Sequence, residues 1–230
     1  MMKIELVVFD LAGTTVKDNK DVHRVLQHAL VKHDVEISIE DANEVMGIPK
    51  PTAIRQLLEK CYTGNRQIDE EWITEIHEAF VNEMISFYEY DESVGEREGV
   101  STMFQKLKWN NIKIAVDTGF DRPITTPLLK RLKWLENNLI DASITSDEVL
   151  KGRPYPDMIY RAMELTGMKD VKRVAKVGDT ASDLNEGTSA GCGLVIGVTS
   201  GSFTREELLK EKHTHLVEKA PDVLEILEIK

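Results

Sequence analysis

Apolar residues recur along the chain in two rhythms. Near the start, Ile4 and the run Leu6-Val7-Val8-Phe9 lead without interruption to Asp10, followed by Ala12-Gly13 and the hydroxyls Thr14-Thr15. A short continuous apolar run predicts a strand buried on both faces, as in a parallel sheet. From Thr15 to about Tyr90 the spacing becomes helical. Val22, Val25, Leu26, Ala29 and Leu30 mark one helix, and Ser38 with Asp41 makes a capping box for a second. Two prolines break the pattern in Met46-Gly47-Ile48-Pro49-Lys50-Pro51. Ile54, Leu57, Leu58 and Cys61 then share a face, and Asp69 opens a longer helix with the stripe Ile73, Ile76, Phe80, Met84 and Phe87. No strand is predicted in this region, which reads as an all-helical insert.

After a polar, glycine-containing hinge at Ser93 to Gly99, strands and helices alternate. A helix over Val100 to Trp109 leads to a strand over Ile112 to Val116, ending in Asp117-Thr118-Gly119. Further strands are predicted at Ala142 to Thr145, Val174 to Val177 and Leu194 to Val198, with an edge strand at Leu216-Val217. Helices fill the intervals, one starting near Pro123 and one capped by Thr204 and Glu207. Such alternation predicts an α/β fold with a doubly wound parallel sheet. The expected organisation is a Rossmann-like core of residues 1–15 and 94–230, with a helical cap of residues 16–93 inserted after the first strand.

Composition narrows the class of function. With 230 residues, a net charge of −11 and an isoelectric point near 5.1, the chain is a poor match for nucleic acid or anionic membrane as its main partner. A small metabolite is the partner left open, and composition suits a monomer or a homodimer equally. Cys61 and Cys192 are far apart and form no CxxC pair, which suits a reduced, cytoplasmic protein. Lys3 and Glu5 interrupt any leader-like apolar segment, and no run reaches membrane-spanning length.

Chemistry collects at the predicted strand ends. Asp10, Thr118-Gly119 and Gly178-Asp179 all fall where an open α/β sheet binds its ligands. Asp10 could instead only cap a turn. Two acids brought together from distant parts of the chain suit a hard divalent cation such as Mg²⁺. Thr118 and the amide of Gly119, at a helix start, make an anion cradle. Arg153 adds a fixed positive charge, unless it only staples its loop. Asp183 is four residues beyond Asp179, which would put both on one helical face. The combination points to phosphoryl transfer to a carboxylate, assisted by a metal. His23, His28 and His33 step around a helix every five residues and read as surface positions.

These features, taken in order, resemble the haloacid dehalogenase superfamily over essentially the whole chain. Gly178-Asp179-Thr180-Ala181-Ser182-Asp183 matches its fourth motif, and Thr118 its second. The resemblance implies that Asp10 is the nucleophile. It also implies that Asp10, the carbonyl of Ala12 and Asp179 bind Mg²⁺, with Asp183 beside them. Ala12, Gly13, Thr118, Gly119 and Arg153 would then contact the phosphoryl group, and the helical insert would be a mobile cap. Two departures are informative: the first motif's second acid is Ala12, and the third motif's lysine is Arg153. The phosphonatase branch, phosphonoacetaldehyde hydrolases and their phosphonatase-like relatives, shares both. In that branch a cap lysine, in the context Met-Gly-x-x-Lys, forms a Schiff base with an aldehyde. Met46-Gly47-Ile48-Pro49-Lys50 has that spacing.

An iminium at Lys50 would explain the missing acid, since a carbon leaving as an enamine needs no proton from it. Three polar positions of phosphonatase itself are absent. Its cysteine falls near Lys20, its histidine at Ala53 and its tyrosine at Phe120. The expectation is therefore a magnesium-dependent, phosphonatase-like hydrolase of a small phosphate ester or phosphonate. The alternatives are phosphonoacetaldehyde hydrolase with Lys50 as Schiff-base lysine, a plain loop role for Lys50, and an inactive regulatory relative.

Overall fold

The computed structural model describes residues 3–229. Its centre is a six-stranded parallel sheet in the order β3-β2-β1-β4-β5-β6. The strands are β1 (Leu6–Asp10), β2 (Lys113–Thr118), β3 (Ala142–Thr145), β4 (Val174–Gly178), β5 (Leu194–Val198) and β6 (His215–Val217). All of β1 is buried, as its unbroken apolar run requires of a central strand covered on both faces. The chain passes from β1 to β2 on one side and returns from β3 to β4 on the other. The carboxyl end of β1 is therefore the switch point where such sheets leave a crevice.

Four helices follow β1 before the chain returns toward the sheet: α1 (Asp21–Val31), α2 (Ile39–Glu44), α3 (Lys50–Cys61) and α4 (Glu70–Tyr90). Ser38 and Asp41 form the expected capping box, and Asp69 caps α4 through the Trp72 amide. The buried stripe of α4 runs Ile73, Ile76, Phe80, Met84 and ends on Tyr88, with Phe87 only partly buried. Helix periodicity allows either residue at that position, and packing beside Phe120 selects Tyr88. The helical segment enters and leaves along paired connections. Val16 bridges Glu96 in antiparallel fashion, Lys17 N–H donates to Gly95 O (3.0 Å), and Arg97 N–H donates to Thr15 O (2.9 Å).

The remaining helices are α5 (Val100–Trp109), α6 (Arg122–Leu132), α7 (Asp157–Thr166), α8 (Ala181–Ala190), α9 (Arg205–Leu208) and α10 (Val223–Ile226). One core packs α1, α3, α4, α5 and α6 with the face of the sheet that carries Val7, Phe9, Ile114 and Val116. A second packs α7 against Leu6, Val8, Ala115 and Val174. Among the described residues no helix is long and apolar enough to cross a membrane.

Candidate active site

Strand alternation decides which polar side chains meet. Residues two apart share a face, so Asp10 follows Val8, Asp117 follows Ala115, and Lys176 follows Val174 on the α7 side. Asp10 pairs directly with Asp117 in register, and Val8 with Lys176. The loop before α7 then delivers Arg153 into this group. Its guanidinium is fully engaged: Nε donates to Glu186 (3.0 Å), Nη1 to Asp10 (2.7 Å), and Nη2 to the Asp117 carbonyl (3.0 Å) and carboxylate. Asp183 Oδ1 is 2.9 Å from Nη1. Arg153 thus does not staple its loop to a helix end; it is the buried hub of the site.

Lys176 is also fully buried, against Asp117, Glu186 (3.1 Å) and Asp183 (3.2 Å). Burial and Arg153 work against its charge, but the surrounding acids hold its pKa above the ordinary range. Burial, with repulsion from Asp117, pushes Glu186 up to about 8, so its carboxyl is largely protonated at neutral pH. Asp117, Lys176 and Glu186 were not legible as site residues. The available signal was a charge inside an otherwise apolar strand, Val-Ala-Lys-Val, which a fully buried position tolerates only with partners.

The Thr180–Asp183 capping box at the start of α8 brings Asp183 inward. Asp179 precedes that helix in the connecting turn, so the two acids do not share a helical face as their spacing suggested; the turn joins them instead. Asp179 accepts from Thr14 Oγ1 (2.8 Å) and Ser202 N–H (2.6 Å). Gly13, at φ 88°, lies so close that a Cβ would collide with Asp179.

Asp10, Asp179 and Asp183 each offer a carboxylate oxygen within 4.8 Å of one another. Burial and repulsion from Asp183 raise Asp10 well above the usual carboxylate range, with Arg153 partly offsetting them. Burial, again with Asp183, raises Asp179 to about 6. Mutually repelling buried carboxylates are the hard-oxygen set that a divalent cation would relieve, so these residues fit a magnesium ion. The neighbouring set Asp117, Asp183 and Glu186 is already neutralised by Arg153 and Lys176.

A small cavity opens over this floor. Asp10, Ala12, Thr118, Gly119, Lys50 and Arg153 line it, together with Asp18, Thr180 and Ser202. Gly13, Asp179 and Asp183 are predicted site residues outside its lining. The loop between α2 and α3 sits directly on the strand ends. A Cβ on Gly119 would be 2.8 Å from the Ile48 carbonyl and 2.9 Å from that of Gly47. Lys50, the first residue of α3, is buried; its Nζ is 3.5 Å from Ile48 O and lies over the rings of Phe120 and Phe80. Burial lowers its pKa to about 8, a shift that Asp10 partly opposes. His23 departs from its predicted surface position. It is buried on α1 with Nε2 2.9 Å from Asn43 Oδ1, because α2 packs over that face; His28 remains exposed.

Residues 7–197 match the model of haloacid dehalogenase-like hydrolases, and the chain belongs to that family of enzymes. It is 35% identical over 230 residues to a phosphonoacetaldehyde hydrolase of Bacillus cereus, covering 95% of this chain and 86% of that protein. The corresponding protein of Bacillus mycoides is 34% identical over the same share of each chain. Among solved structures, a phosphonoacetaldehyde hydrolase-like protein from Oleispira antarctica superposes with a TM-score of 0.84 at 20% identity, covering 98% of this chain and 91% of that one. A hydrolase from Pseudomonas syringae gives 0.85 at 20% identity, covering 97% and 98%.

Proposed function

We propose that this hydrolase cleaves a small phosphorylated or phosphonate metabolite through an aspartyl-phosphate on Asp10, with residues 16–93 acting as a cap. The observation that carries this reading is Asp10 itself: a strand-end carboxylate on the cavity wall, held by Arg153 and grouped with Asp179 and Asp183. Asp10 attacks phosphorus in line. Thr118 and the Gly119 amide bind the phosphoryl oxygens, and Arg153, whose donors are held by the surrounding acids, adds positive charge beside them, with Ala12 and Gly13 supplying backbone close by. Asp10, the Ala12 carbonyl, Asp179 and Asp183 would hold magnesium, which would supply positive charge to offset the carboxylates and the incoming phosphoryl group. The loop carrying Gly47 and Ile48 excludes bulk water and brings Lys50 to the leaving-group side.

Magnesium-dependent phosphate release from a panel of phosphate esters tests the reaction. A second readout tests the ion separately. At about 100 times its Kd, magnesium should stabilise the fold by roughly 3 kcal/mol, seen as a rise in melting temperature. Asp179→Asn should lose most of that rise, and an unchanged rise would remove Asp179 from the ligand set.

A second reading, C–P cleavage of phosphonoacetaldehyde, is favoured by Lys50. A Schiff-base lysine must be partly neutral, and with a pKa of about 8 roughly a tenth of Lys50 is neutral at pH 7. Its fully buried ammonium is disfavoured by desolvation, so the reactive amine gains population as pH rises. Borohydride should therefore trap an adduct with phosphonoacetaldehyde at a rate that climbs to about pH 8 and then levels. Lys50→Ala should abolish the adduct. Trapping that keeps rising toward pH 10, as for a solvated lysine, would exclude this role.

A further inference from the structure

The residue two beyond Asp10 is Ala12, so no carboxyl at that position can give a proton to a departing group. The cavity is nevertheless lined by another acid, Asp18, whose side chain is only 6% exposed. Asp18 Oδ1 accepts from the amides of Asp21 (2.7 Å) and Val22 (3.2 Å), which fixes the carboxyl at the start of α1. Its Oδ2 is 3.9 Å from Nδ1 of His23, about 1 Å beyond hydrogen-bond distance.

His23 is 1% exposed, and its Nδ1 is buried without a partner. Its Nε2 faces Asn43 Oδ1 at 2.9 Å. An amide oxygen only accepts, so Nε2 carries the ring proton and Nδ1 presents a lone pair toward Asp18. At 3.9 Å the two atoms are too far apart to share a proton. Burial raises Asp18 and lowers His23, which favours a protonated carboxyl beside a neutral imidazole. The charged and titratable groups facing the pair are Asp21 on α1, Lys50 on α3, Tyr88 on α4, and Lys20 before α1.

We propose that Asp18 is the acid–base group on the leaving-group side of the cavity. The inference rests on the phosphohydrolase reading above. As Asp10 bonds to phosphorus, the bond from phosphorus to the leaving oxygen breaks; its electron pair stays on that oxygen, which takes the Asp18 proton. A water oxygen then bonds to phosphorus, the bond to Asp10 breaks with its electrons returning to the carboxylate, and the proton lost by water returns to Asp18.

Asp18→Asn keeps a side-chain oxygen for the Asp21 and Val22 amides but cannot donate a carboxyl proton. Its kcat should be compared on p-nitrophenyl phosphate, whose phenolate leaves without protonation, and on the alkyl phosphate that the wild type turns over fastest. The expected loss on the alkyl phosphate is about 100-fold and exceeds the loss on the aryl ester at least tenfold. Equal losses on both, or none, overturn the assignment while leaving the phosphohydrolase reading intact. A wild-type protein that releases phosphate from neither ester has no leaving oxygen for Asp18 to protonate and overturns this inference, while phosphonate cleavage through Asp10 stands or falls on its own test.

Nitrogen-15 histidine NMR on the wild-type protein provides a readout independent of activity and of variant folding. His23 should stay neutral, with its proton on Nε2, between pH 6 and 8; titration like that of a solvated imidazole would put a cation beside Asp18 and overturn its role as proton donor.

Discussion

Asp10→Asn is expected to lower kcat by at least about 10⁴-fold, the scale of removing a covalent nucleophile, and to leave the protein folded. The two effects separate because the wild-type charge is poorly accommodated without a cation. Burial and Asp183 disfavour the Asp10 carboxylate, and Asp179 adds to the repulsion. Asparagine matches its volume and still offers an oxygen to Arg153 Nη1. The melting temperature in the absence of magnesium should therefore match or exceed that of the wild type. Phosphate release above about 1% of the wild-type rate would sink Asp10 as nucleophile. A large fall in melting temperature would show that its charge is structural.

Arg153→Met should unfold the protein more readily as well as inactivate it. Arg153 is the shared partner of Asp10, Asp117, Asp183 and Glu186, and its side chain has no solvent exposure. Removing it leaves Lys176 as the neutralising cation among these acids. Breaking a buried ionic network in this way costs about 3–5 kcal/mol, or roughly 10 °C in melting temperature for a chain of this size.

The sign of the pH dependence follows. Arg153 helps to hold the Asp117 pKa below its ordinary value against burial. Without Arg153, Asp117 and its neighbours should bind protons more tightly folded than unfolded. Their protonated forms then support the fold at low pH, and that support is lost as pH rises through the raised folded values. The deficit of the variant against wild type should thus be smaller at pH 5.5 than at pH 8 in thermal melts. A deficit that is equal at both pH values would contradict the network. Arg153→Lys retains the charge but not the planar fork, and should recover only part of the stability.

The order of elements was readable along the chain because each carries its own rhythm. Apolar runs marked β1 and β5 and, interrupted by Lys176, β4; 3.6-residue stripes marked α1 and α4, and capping residues set the starts of α2, α4 and α9. Strand ends likewise pointed to Asp10, Thr118 and Asp179, since a parallel sheet gathers its carboxyl ends at one edge. These are local signals, or consequences of topology, and need no knowledge of side-chain contacts.

Contacts between distant segments had no such signature. Asp117 looked like the residue after a strand, and Lys176 like a break in an apolar run, until pairing register and face placed both beside Arg153. His23 fell on a helix whose periodicity was compatible with exposure; packing of α2 buried it. Asp18, near the start of the helical segment, showed nothing of the cavity in its neighbours. Local pattern was enough for the sheet, the helices that follow β1 and the strand-end acids, because periodicity and turn chemistry act over a few residues. Which buried charges compensate one another, and that Asp18 joins Asp10 in lining the cavity, emerged from the folded contacts, because those energies depend on distance and desolvation.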